Sequence, residues 1–242
     1  MKYSDIFTDP EIIQMPVGRS VLTALTPNYG TFHTRNSSSY LQVNRYLKER
    51  PPLNIDIELF TMDWAYNDVN NTELLGMIAL TGLLTLSKNP IQCADSFFKY
   101  IRSELDEDRN RLLQQHEDYC RRMGSDHPLP EAMSGPTSVS DVSCKVFSNF
   151  KCFKTLLSSS ASETGYQVYF IPLNTVSCLQ LSFSPHNFKV DRFESKIECC
   201  AFIEQLCDEF ISKLTLSDGN FTQAAPPPKL EPSPKDLPDN SW

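Results

Sequence analysis

Residues 53–59, "LNIDIEL", alternate without a break: Leu53, Ile55, Ile57 and Leu59 fall on one side, Asn54, Asp56 and Glu58 on the other. A period of two marks a half-buried strand. Turn residues follow in "YNDVNN" (residues 66–71), and then "LLGMIALTGLLTL" (residues 74–86) runs apolar for 13 residues with two glycines inside. A bilayer span needs about 20 apolar residues, so this run is core material and predicts the returning strand of a hairpin. Any fold of this chain therefore has to contain an antiparallel sheet with one greasy side.

Other segments read from local signals. Asp9 before Pro10 has the form of an N-cap with proline in the first turn, predicting a short helix that Pro16 closes. Residues 17–40, rich in Ser, Thr, Asn, Gly and Pro, read as an extended arm with loops. Asn89-Pro90 repeats the cap signature and opens a long helix with Ala94, Phe97, Phe98, Ile101 and Leu105 as its inward stripe. Beyond Leu105 the helix turns polar, with Leu112 and Leu113 as its obvious anchors, and it stops near Gly124. A loop over residues 125–141 leads to strands at 142–147, 166–171 and 176–183, with Pro172 and Asn174 turning the last two against each other. Ser195 and Glu198 form a capping box for a second helix reaching about Leu214. From residue 224 onward, six prolines in nineteen residues preclude helix or sheet. The organisation is thus an N-terminal helix and arm (1–40), a single α+β domain (41–216) and a Pro-rich tail (217–242).

Composition narrows the class of function. The 242 residues carry a formal net charge of −8 and no dense basic cluster, which argues against a nucleic-acid backbone or an anionic membrane as the main partner. The N-terminal stretch "MKYSDIFTDPEIIQMP" has no apolar segment of signal-peptide length. The eight cysteines are therefore expected to be reduced and the compartment intracellular, which leaves the sequons at Asn36, Asn70 and Asn220 without glycan.

Three cysteines crowd "ECCAFIEQLC": Cys199, Cys200 and Cys207. No C-x2-C pair occurs, and no histidine lies within eight residues, so zinc ligation has little support. On a helix, Ile203, Leu206, Phe210 and Leu214 face inward with the thiols on or beside that stripe, where free cysteine packs as a small hydrophobe. The four histidines (His33, His116, His127, His186) are scattered, leaving a Cys–His dyad open but unsignalled. Asp106, Glu107 and Asp108 read as a solvated charge run rather than a cation site. No phosphate-cradling glycine loop, nucleophile elbow or zinc-protease motif is present. The reading is a non-enzyme with no metal and no required cofactor.

"GYQVYFIPLNTVSCLQLSFS" followed by "ECCAFIEQLCDEFISKLTL" resembles the C-terminal half of cypovirus polyhedrins, which crystallise in infected insect cells around virus particles. The shared features are Gly165-Tyr166, Tyr169-Phe170 before a proline, a strand ending at Ser184, and a helix with Cys200 and Cys207. "ADSFFKYIRSE" (residues 94–104), after a hairpin, resembles that family's central helix in the same chain order. The Pro-rich tail and the short loop before the last helix depart from the family's pattern.

The resemblance implies an antiparallel β-sandwich flanked by helices, assembled as trimers into a cubic lattice within occlusion bodies in the host cytoplasm. Partners would be other copies and virus capsid proteins. An N-terminal helix would reach neighbours, here with Ile12 and Ile13 as anchors, and Trp242 closes a tail suited to running along another copy. A nucleotide held in the lattice is possible on this resemblance, with no residue here matched to it. Such a crystal has to dissolve in the alkaline midgut. Raising the pH to about 10.5 would take the charge from −8 to roughly −20 through Cys and Tyr alone. Tyr3, Tyr29, Tyr40, Tyr46, Tyr66, Tyr100 and Tyr119 are the candidates for that switch. Two other classes stay open: an intracellular adaptor recruiting through "PPPKLEPSP", and a thiol-dependent enzyme.

Overall fold

A computed structural model describes residues 10–17, 20–25, 27, 31–34, 55–67, 73–87, 89–124, 128–129, 131–147, 150–158, 164–175 and 177–218. Its strands are β1 (Ile12–Val17), β2 (Ser20–Leu25), β3 (Thr31–Thr34), β4 (Ile55–Asn67), β5 (Leu74–Leu86), β6 (Ser143–Phe147), β7 (Phe150–Leu157), β8 (Tyr166–Pro172), β9 (Ser177–His186) and β10 (Thr215–Asp218). Helix α1 (Ala94–Met123) lies between β5 and β6, and α2 (Lys196–Ser212) between β9 and β10. The strands form a seven-stranded sheet, ordered β3-β4-β5-β9-β8-β7-β6, and a three-stranded sheet, ordered β1-β2-β10. Every pairing is antiparallel. The chain is of mixed α+β class.

One face of the large sheet carries the main core. Met62, Trp64, Leu80, Leu181 and Phe183 meet Phe202, Leu206 and Phe210 of α2, with Met15, Val17, Leu22 and Ala24 of the small sheet in the same cluster. Trp64 stacks on Phe210 at 5.3 Å between centroids. The opposite face, over β7, β8 and β9, holds α1 through Phe97, Tyr100, Ile101 and Leu105 against Phe153, Val168, Phe170 and Cys178.

The hairpin is longer than its alternation announces. A register shift between Glu58 and Phe60 moves the buried series from Ile57 and Leu59 to Phe60, Met62, Trp64 and Tyr66, so the strand runs on to Asn67, into the first two residues of the expected turn; residues 68–71 of that turn lie outside the described residues. Gly82 lies opposite Phe60, and a Cβ there would fall 2.2 Å from the Phe60 ring. Glycine within this apolar run is thus the space the aromatic ring occupies.

Several expectations are corrected. The helix expected at residues 9–16 is strand β1: Met15 and Val17 bury themselves against β2, and that gain outweighs a local cap signal. Pro16 is tolerated because β1 is an edge strand. Within the expected arm of residues 17–40, β2 and β3 are regular strands. Helix α1 begins at Ala94, not at Asn89-Pro90, because Cys93 and Ser96 form the capping box. Its end is as read, with Gly124 at φ 66° in the left-handed conformation that glycine adopts without strain. Strand β7 had no counterpart in the sequence reading. Ser195 caps α2 by accepting from the Glu198 amide at 3.2 Å, as anticipated, but the helix stops at Ser212 and β10 follows.

Candidate functional site

Where β6, β7 and β8 meet α2, the sheet face carries charge instead of apolar side chains. Lys154 of β7 and Tyr169 of β8 are register partners and therefore point the same way. On α2, Glu204 and Asp208 are four residues apart and share a flank of the helix beside its buried stripe. Lys154 Nζ donates to Glu204 Oε1 at 2.6 Å and to Asp208 Oδ1 at 3.2 Å. The Tyr169 hydroxyl donates to the same Oδ1 at 2.6 Å, and Lys145 of β6 donates to Asp208 Oδ2. Lys154 also lies 5.1 Å over the Tyr169 ring.

The Lys154 side chain is only 5% exposed. Taking an ammonium out of water is costly, and two carboxylates with a ring face are what offset it. Burial works to raise Asp208, but the hydrogen bonds from Lys145 and Tyr169 and the nearby Lys154 charge prevail and hold it below the usual carboxylate range. Burial pushes the Tyr169 phenol far above its ordinary value, helped by Cys207 and by its own bond to Asp208. Cys152 beneath the cluster is pushed up to about 12, chiefly by burial. Chemically, this arrangement is a lock: cations from β6 and β7 and a neutral phenol from β8 converge on the carboxylates of one helix and fix its position on the sheet.

The residues singled out from sequence do not gather here. Ile12 is 68% exposed on β1, whereas Ile13 packs partly against the core, as alternation along a strand requires. Tyr66 is fully buried and Tyr100 nearly so; Tyr119 on α1 is 42% exposed. Tyr3, Tyr29, Tyr40, Tyr46, His127 and Trp242 lie outside the described residues. Cys199 and Cys207 are buried and Cys200 half-buried on α2, consistent with thiols used as small core residues. Cys93 is exposed at the start of α1, and its contacts with the Ser96 hydroxyl and amide lower its thiol. On α1, Cys120 Sγ lies 3.7 Å from His116 Nε2, a contact between adjacent turns. Among the described residues, no group of three His, Cys, Asp or Glu side chains is placed to hold a metal, and no helix is long and apolar enough to cross a membrane.

Sequence reading missed Lys154 and Asp208. The available signal was a lysine inside the otherwise apolar run "FKCFKTLL", since a buried lysine demands carboxylates nearby. No protein-family model and no curated protein matches this chain.

Proposed function

We propose that this chain is a structural protein that assembles with copies of itself into the crystalline matrix of viral occlusion bodies, embedding virus particles and releasing them in alkali. The observation that carries the reading is the arrangement of the stretches resembling cypovirus polyhedrins. They form β8, β9, α2 and the first turns of α1, and they are mutual neighbours. Phe183 and Phe210 meet at 5.6 Å, Tyr169 bonds Asp208, and Phe97 packs at 4.8 Å on Phe170. The two antiparallel sheets, one above the other with α2 at the same face, are in keeping with a β-sandwich flanked by helices.

The alkaline step takes a more specific form. Tyr100 and Tyr169 are held far above the ordinary phenol value, mainly by burial. Cys152 and Cys178 are pushed up to about 12, and Cys207 is raised further by its complete burial. Those five groups stay neutral near pH 10.5, which removes about five of the charges counted from composition. The remaining charge develops on outer groups, so alkali separates copies from one another before it opens any one of them.

Expression in insect cells tests this. Micrometre-sized refractile crystals that dissolve at alkaline pH into folded protein are the expected result. Protein dispersed through the cytoplasm, with no crystals at any expression level, overturns the reading and favours the adaptor with a Pro-rich recruiting tail.

A further inference from the structure

Cys152, Cys178, Cys199 and Cys207 are buried and fill the core. Cys120 does not. It lies in the part of α1 that follows Leu105, where no residue is buried, and is half-buried beside His116, one turn earlier. Core packing therefore does not account for a thiol here, and its chemistry is what remains.

Cys120 Sγ stands 3.7 Å from His116 Nε2 and 3.8 Å from Nδ1. A hydrogen bond points at one acceptor, so near-equal distances to both ring nitrogens do not describe a directed bond. Among the described residues, neither side chain has another hydrogen-bond partner. Both donors are thus uncommitted. Residues at i and i+4 share one side of a helix, the spacing at which paired ligands hold a single ion. A tetrahedral ion with bonds of about 2.3 Å to sulfur and about 2.0–2.1 Å to nitrogen keeps the two donor atoms about 3.6 Å apart. The separation in α1 already has that size. Turning the imidazole about Cβ–Cγ aims one nitrogen lone pair at the ion, and the backbone need not move.

We infer that His116 and Cys120 form a two-donor site on α1 for a divalent cation of borderline softness, with Zn²⁺ as the type. Thiolate and imidazole are the donors such ions take, whereas Ca²⁺ and Mg²⁺ take oxygen. Binding breaks the S–H bond and forms a sulfur–metal bond, the proton passes to buffer, and neutral imidazole supplies a lone pair; no electron is transferred. The remaining positions fall to water, because among the described residues no third His, Cys, Asp or Glu is placed to join. An ion held in this way keeps exchangeable positions open to solvent. The helix favours it further, since Cys120 lies one turn from the C-terminal end, where the backbone dipole attracts cations. Arg121 follows Cys120, but its charge is partly taken up by Asp118 at 3.1 Å. The site does not depend on the occlusion-body reading and stands or falls separately from it.

Cobalt titration of the full chain tests the site, with the thiols kept reduced by a phosphine. Co²⁺ accepts the same donors, and a bond to thiolate adds a near-ultraviolet band. The band is expected to saturate at one ion per chain and to vanish when Zn²⁺ displaces the cobalt. Cys120→Ser should abolish it, and His116→Ala should weaken binding by at least about 10-fold, as even loss of a group behind a ligand does. Cys93→Ser and Cys144→Ser, which remove exposed thiols elsewhere, should leave it unchanged. Cys120→His rebuilds a two-donor pair and should recover Zn²⁺ binding without the thiolate band. A readout that needs no variant is alkylation of Cys120 followed by mass spectrometry: Zn²⁺ should protect this thiol in the wild-type chain, and a chelator should reverse the protection. Absence of the band, a band that survives Cys120→Ser, or Cys120 alkylation that ignores Zn²⁺ overturns the site.

Discussion

Tyr169 and Asp208 are 39 residues apart in the chain and 2.6 Å apart in space, the phenol donating to Oδ1. That bond joins β8 to α2 and helps keep Asp208 ionised. Tyr169→Phe removes it without changing the ring's shape, and should cost about 1–2 kcal/mol in urea unfolding.

Acid should act through Asp208. Its folded value lies below its unfolded one, so its contribution to stability is present above the unfolded value and lost as pH falls through the folded value. Asp208→Asn is expected to lower stability at neutral pH and to flatten the acid limb of the stability profile. Denaturant midpoints measured from neutral pH into the acid range check this. An acid limb unchanged in the variant would assign the dependence to other carboxylates.

Lys154→Met replaces a buried ammonium with an apolar chain of similar length and leaves Asp208 and Glu204 without their shared cation. Breaking a buried pair from one side costs about 3–5 kcal/mol, and the partial exposure of Glu204 places this variant at the lower end. Urea unfolding at neutral pH measures it.

Alkaline titration followed by phenolate absorbance should resolve two classes of tyrosine. Tyr100 and Tyr169 are expected to ionise only together with loss of the near-ultraviolet circular dichroism signal, because burial keeps both phenols neutral while the fold lasts. Folded-state ionisation of all nine tyrosines would contradict this and, with it, the order of events proposed for dissolution.

Gly82→Ala places a methyl group where the Phe60 ring lies. Overpacking of this kind costs about 1–3 kcal/mol. Phe60→Leu in the same chain should recover part of the loss, and a double-mutant cycle of unfolding free energies gives the coupling.

Much of the fold is legible locally. The greasy run at β5, the stripe of α1 and the Ser195–Glu198 cap each write their structure within a dozen residues, because periodicity and capping are short-range properties. Strand β7 escaped notice because "FKCFKTLL" buries Cys152, Phe153, Lys154 and Thr155 in succession and shows no alternation. Strand β1 was misread because Asp9-Pro10 carries a helix signal whose alternative, pairing along β2 in the small sheet, is invisible without the partner strand.

By itself, the sequence determined which segments are apolar, where the long helix α1 ends, and that the thiols of α2 serve as core residues. Only the tertiary structure decided that Lys154, Tyr169, Glu204 and Asp208 meet, that Tyr100 and Tyr169 are shielded from alkali, and that α1 buries no residue beyond Leu105. The physical reason is the range of the forces involved. Helical and strand periods follow from backbone geometry over a few residues, whereas burial, and every charge and pKa that depends on it, is set by which distant segments the folded chain brings together.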